Sequence, residues 1–391
     1  MVRNHIIGAS LVLAATASGS SSSAEPNLTV GYLRVEVALA PTLSNLDPIP
    51  DDIGIAGART GLKDNQTTGK FLGHEYTLNT QSVPVDGDVL GAAKQMLGAS
   101  PYLVLDAPAE VLLQIADLPD AEGALLFNTS AGDIALRDDA CRVNLLHSLP
   151  SDAMRTDALA QVYVQKRWTD LVMITGTAPH DKAYADAMRR SLTKFGLKLS
   201  DEKEWDEAAD MRRTASQEIP LFTQSFGDYD AMIVADELQD FGRYVLYNTW
   251  AARPVTGSEG LSAVTWSPVI EQWGAAQLQS RFADQNNREI RSQDYAAWAA
   301  LRTLGEAVTR TNSAEAEALR GYIFSDAFEL AGFKGRPLTY RDWNGQLRQP
   351  IAVVHPRALV AQAPLDGFLH QTNELDSLGL DRPESKCEAF R

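Results

Sequence analysis

Short apolar runs, each followed by a segment of helical period, recur along most of this chain. Residues 28–35, 76–83, 102–105, 123–127 and 142–146 read as strands, with helices expected at 53–63, 88–97 and 108–115. A second series has strands at 171–175, 231–235 and 262–266, with helices at 153–167, 182–195, 216–222, 241–247 and 268–286. Strands buried on both faces of a parallel sheet read as continuous apolar runs, and these do. Polar residues collect where the runs end, at Asp106, at Asn128-Thr129-Ser130 and at Asp236-Glu237. The pattern predicts an α/β fold with mostly parallel sheets covered on both sides. At 391 residues the chain is long enough for two such arrays in tandem, changing over near 148–168.

The remaining quarter is less regular. Residues 291–311 are strongly helical, with Tyr295, Trp298, Leu301 and Val308 on one face. A short helix is expected at 326–331. Strands at 335–341 and 349–354 flank Asn344-Gly345, a type I′ turn signal, and form a hairpin that completes the first two bodies.

The N-terminus carries Arg3 and His5, an apolar run at 6–17 and a serine-rich stretch, which reads as an export leader over residues 1–24. Cleavage is expected after Ser22-Ser23-Ala24, with Ala15-Thr16-Ala17 as the second site. Export places Cys141 and Cys387 in an oxidising compartment, where they either bridge the tail to the first body or stay unpaired. Two remote cysteines and scattered histidines have no zinc spacing, so no metal is expected. The 35 Lys+Arg against 51 Asp+Glu give a net charge of -16, which argues against a non-specific nucleic-acid binder.

Motifs of catalysis are absent. No GxGxxG follows a strand, and there is no GxxxxGK[ST], HExxH or GxSxG. Asp236 and Glu237 are acid–base candidates only through their place at a strand exit. The chain is expected not to be an enzyme.

The order of segments resembles the type I periplasmic substrate-binding proteins of the branched-chain amino acid receptor group. The resemblance rests on residues 30–61, on 151–168, on Tyr295-Ala296-Ala297-Trp298-Ala299-Ala300, and on 335–354 with Tyr340-Arg341-Asp342-Trp343-Asn344-Gly345. It implies two Rossmann-like lobes with a three-stranded hinge crossing near Leu149-Pro150, near Asn286 and near 342–348. The first lobe would then hold 28–148 and 287–342, the second 149–286 and 349–370, and 371–391 a tail. Within the group the sequence is most similar to a branch found with PQQ-dependent alcohol dehydrogenase systems. That likeness implies a monomeric periplasmic receptor for pyrroloquinoline quinone, serving an ABC-type permease or the dehydrogenase system. The loop at 43–53 departs from the amino acid receptors, being rich in proline and aspartate, while Asn128-Thr129-Ser130 takes the place of their Ser/Thr pair and Asp236 lies near their amine-binding acid.

Pyrroloquinoline quinone is a flat tricarboxylate and needs stacking surfaces with several cationic donors. Arg34 and Arg59 near the opening loop, Trp250 and Arg253, Trp266, and His180 with Tyr184 supply both chemistries at expected cleft edges. A receptor for an amino acid or other small carboxylate is the first alternative, with Asp236 on the amine. A dehydrogenase-associated chaperone or sensor is the second.

Overall fold

Alternate residues of a strand face opposite sides of its sheet. The first sheet therefore separates two apolar cores, one holding Val30, Tyr32 and Val104 and the other Leu33, Leu103 and Leu105. The computed structural model describes residues 26–37, 48–206, 211–239 and 241–390. The leader at 1–24 and residues 43–47 of the loop at 43–53 lie outside them.

The first lobe is built on β1 (Asn27–Val35), β2 (Glu75–Val83), β3 (Tyr102–Asp106), β4 (Leu125–Asn128) and β5 (Leu145–His147). Its helices include α1 (Ile55–Leu72), α2 (Val89–Ala99) and α3 (Ala109–Ala116). All neighbours pair in parallel in the order β2-β1-β3-β4-β5. The chain then crosses at 148–151 into α4 (Asp152–Lys166), where the Ser151 side chain accepts from the Met154 N–H and caps the helix.

The second lobe holds β6 (Asp170–Thr175), α5 (Pro179–Lys194), β7 (Lys198–Glu204), α6 (Met211–Gln224), β8 (Ala231–Ala235), α7 (Gly242–Val245) and β9 (Val255–Gly257). Its sheet is also parallel, in the order β7-β6-β8-β9. Both sheets reverse winding direction once, between β1 and β3 and between β6 and β8. In open α/β sheets the crevice beyond the strand ends at such a switch point is where ligands bind.

β10 (Ser262–Val264) pairs with β13 (Ile351–His355), and β13 with β14 (Ala358–Ala363), in a small sheet packed on the second lobe. The chain leaves β10 and returns to the first lobe as α8 (Ala275–Asn286), α9 (Ser292–Thr311) and α10 (Ala316–Ile323). The second crossing therefore falls just after Val264, not near Asn286. Leu278 and Phe282 of α8 are buried with α1 and α9 in the first lobe's core, where a large apolar side chain contributes about 1.5–3 kcal/mol. The helix expected from 268 starts only at Ala275, because Trp273 and Gly274 take left-handed φ of 57° and 81°. α10 replaces the helix expected at 326–331.

The closing hairpin is shorter than expected. β11 (Thr339–Tyr340) pairs with β12 (Leu347–Arg348), and the chain crosses at 349–350 before β13. Among the described residues, Cys141 and Cys387 form a disulfide, so the bridged reading holds.

α1 and α9 lie against each other with almost no room between their backbones. A Cβ at Gly57 would overlap the main-chain carbonyl of Asp294. Both helices would have to part for any side chain to fit. Gly57→Ala is expected to cost about 1–3 kcal/mol, read as a lower midpoint in urea at unchanged slope.

Candidate functional site

The carboxyl ends of the two sheets meet at the first turn of α4. From the first lobe, the loop leaving β4 brings Gly132, whose carbonyl accepts from the Asp152 N–H at 2.8 Å. From the second lobe, Glu237 follows β8. Between them stands Arg155, which donates to Glu237 Oε2 at 2.7 Å and Oε1 at 3.1 Å, and to Asp152 Oδ1 at 3.1 Å. Its guanidinium also lies 4.9 Å from the Tyr184 ring centroid. Ser258, beyond β9, donates to Glu237 Oε1 at 2.8 Å. Asp181 Oδ1 accepts from the Glu237 N–H at 2.7 Å and fixes the strand exit.

This cluster holds more acid than base. Burial raises the Asp152 carboxyl, Glu237 and Asp133 add repulsion, and Arg155 opposes them without restoring the usual value. Burial works on Glu237 in the same direction. There the Arg155 charge, its two hydrogen bonds, Ser258 and His180 outweigh it, and the carboxyl is held below its usual range.

The first lobe contributes a smaller group at the β1/β3 switch point. Arg34 Nε is 3.8 Å from Asp106 Oδ2, and Nη1 donates to the Asp51 carbonyl. Burial raises the Asp106 carboxyl against the pull of Arg34, Ser130 and Tyr32.

The other expected site residues divide clearly. Asn128 is buried and shapes the β4 exit, accepting from the Ser130 and Ala131 N–H groups. Thr129 is buried and donates to the Leu105 carbonyl. Ser130 is half-buried and pairs with the Ala107 main chain. These three build the rim, with their main hydrogen bonds made internally. His180 is exposed at the start of α5, and Tyr184 is fully buried beneath Arg155.

Asp236 is not the cleft acid. It is buried, and its Oδ2 accepts from the Phe241 and Gly242 N–H groups ahead of α7. Its neighbour Glu237, half-buried, takes that place at the strand exit. Trp266 is a core residue, stacked on Tyr295 at 4.6 Å. Trp250 and Arg253 precede β9, whose register sets Val255 beside Met232 at the start of β8. They therefore sit at the amino end of the sheet, opposite the cleft, where Arg253 pairs with Asp228 at 2.8 Å. Arg59 is exposed on α1.

Sequence reading missed Arg155, Asp152 as its partner and Ser258, and marked Asp106 only as a polar strand end. A signal for the first existed: Asp152 and Arg155 stand at i,i+3 in the first turn after a predicted crossing.

No family model and no curated protein matches the sequence. Solved structures do match. A branched-chain amino acid ABC transporter periplasmic ligand-binding protein from Burkholderia xenovorans LB400 superposes with a TM-score of 0.71 at 15% identity, covering 93% of this chain and 100% of that one. The fold is that of the type I periplasmic binding proteins. Two further structures share this type I fold. An ABC transporter substrate-binding protein from Desulfitobacterium hafniense, in complex with Leu, gives 0.62 at 14% identity, covering 85% and 99%. A solute-binding protein of an ABC transporter from R. palustris, in complex with benzoate, gives 0.64 at 10%, covering 93% and 99%. No described helix is long and apolar enough to cross a membrane.

Proposed function

We propose that this chain is a periplasmic solute-binding protein that captures an amino acid, or another small ligand with one carboxylate, between its lobes for an ABC-type importer. The observation that carries the ligand class is the charge at the converging strand ends. Arg34 and Arg155 face Asp106, Asp133, Asp152 and Glu237, and each arginine is already paired. Such a site suits a ligand that brings its own ammonium to Glu237 and a single carboxylate to a donor.

A tricarboxylate would need several guanidiniums free to turn toward it. Arg253, Trp250 and Trp266 stand away from the strand ends, which removes most of the chemistry argued for pyrroloquinoline quinone. That ligand and its dehydrogenase partner rest on the sequence resemblance alone. The leucine and benzoate bound by two fold neighbours each carry one carboxylate, in keeping with the smaller ligand. Lobe closure would supply affinity through contacts made only in the closed state.

The test is a thermal-shift and calorimetric screen of ligand-free protein against single amino acids, benzoate-type acids and pyrroloquinoline quinone. At a hundredfold excess over Kd, a ligand stabilises by about 2.7 kcal/mol, enough for a shift of several degrees. One or more amino acids or monocarboxylates should give it. Stabilisation by pyrroloquinoline quinone alone would overturn the proposal.

A further inference from the structure

The C-terminal tail runs from one lobe to the other and is gripped by both. It leaves β14 on the second lobe and ends in the disulfide from Cys387 to Cys141 on the first. On the second lobe, the Gly379 N–H donates to buried Asp157 of α4 at 2.7 Å. Lys194 of α5 donates to the carbonyls of Gly379 at 2.9 Å and Ser377 at 3.3 Å, and Leu378 is part of that lobe's core.

On the first lobe, Arg341 follows β11 and is buried. It donates to Asp376 at 2.8 Å and to the carbonyls of Leu378 at 2.7 Å and Leu380 at 3.2 Å. Ser385 donates to the Arg137 carbonyl at 3.0 Å, and the Lys386 N–H to Asp138 at 2.5 Å. Adjacent residues of one segment are thus held by helices of the second lobe and by an arginine of the first.

We propose that this tail is a fourth connection between the lobes, one that limits how far the cleft opens. Three crossings can bend together as a hinge. A fourth tie, anchored away from them, stops the bend when its slack is used. The disulfide makes the tie covalent, since the path from β14 through Cys387 to Cys141 is bonded throughout. The adjoining grips on 376–380 take up the slack. Opening beyond the present range requires one grip to release.

The experiment measures interlobe distance in ligand-free protein. Spin labels go on Lys94→Cys of α2 and Lys198→Cys of β7, both exposed positions on opposite lobes. The Cys141→Ser/Cys387→Ser protein should give a longer and broader distance distribution than the bridged one. A second arm places a protease site at exposed Asp366-Gly367, so that the tail is cut only after folding and oxidation. The cut protein should shift in the same direction. The second arm decides if the serine variant fails to fold. A distribution unchanged on cutting the folded protein overturns the proposal.

Discussion

Replacing Arg341 with methionine is expected to cost about 3–5 kcal/mol of folding stability, the range for removing one member of a buried ion pair. Arg341 is 1% exposed and spends its guanidinium on Asp376 and on the carbonyls of Leu375, Leu378 and Leu380. Methionine would fill much of the volume but take this donor from all four acceptors, and a buried acceptor that loses its donor is costly. Arg348 also reaches Asp376, at 2.9 and 3.0 Å, so the carboxylate keeps one cation and the loss should fall near the lower end. Arg341→Lys keeps the charge but cannot fork to four acceptors, and should lie between methionine and wild type. Urea unfolding with the disulfide intact reads the effect as a shift in midpoint. A methionine variant within about 1 kcal/mol of wild type would show that the tail is held by the bridge and not by this arginine.

The architecture was legible because its strands are buried on both faces. Residues 28–35 and 231–235 read as apolar runs and emerge as β1 and β8 almost unchanged. Local rules served less well where a few residues set the geometry. The left-handed pair Trp273-Gly274 moved the start of α8, and residues 349–354 left the predicted hairpin to join β10 and β14.

The site was harder to read, for a different reason. Arg155 and Glu237 are 82 positions apart and meet only because α4 begins where β8 ends. Arg253 follows Glu237 closely in sequence, but the parallel register carries it to the opposite edge of the sheet. A strand exit marks which end of a sheet faces the cleft. It does not say which of two consecutive acids turns outward, and here Asp236 turned in to cap while Glu237 turned out.

Arg155→Met is expected to destabilise the protein most at neutral pH and least in acid. In the wild type, burial disfavours the Glu237 carboxylate, but the Arg155 charge and hydrogen bonds prevail and hold its pKa below the usual value. A depressed pKa contributes stability above the unfolded value of about 4.3, and that contribution is lost as pH falls through the folded pKa. Without Arg155 the balance reverses. Burial and the Asp152 charge then raise Glu237, and Asp152, already raised, goes higher. A raised carboxyl costs stability as pH climbs from the unfolded pKa to the folded one. The gap between wild type and variant should therefore be small near pH 4 and grow to about 3–5 kcal/mol by pH 7. Unfolding curves at pH 4 to 8 measure it directly. The double variant Arg155→Met/Glu237→Gln should recover part of the loss, because removing both partners spares the unpaired charge. A gap that does not change with pH would mean that Arg155 acts through packing on Tyr184, and that the carboxylates around it carry no unbalanced charge for a ligand's ammonium to meet.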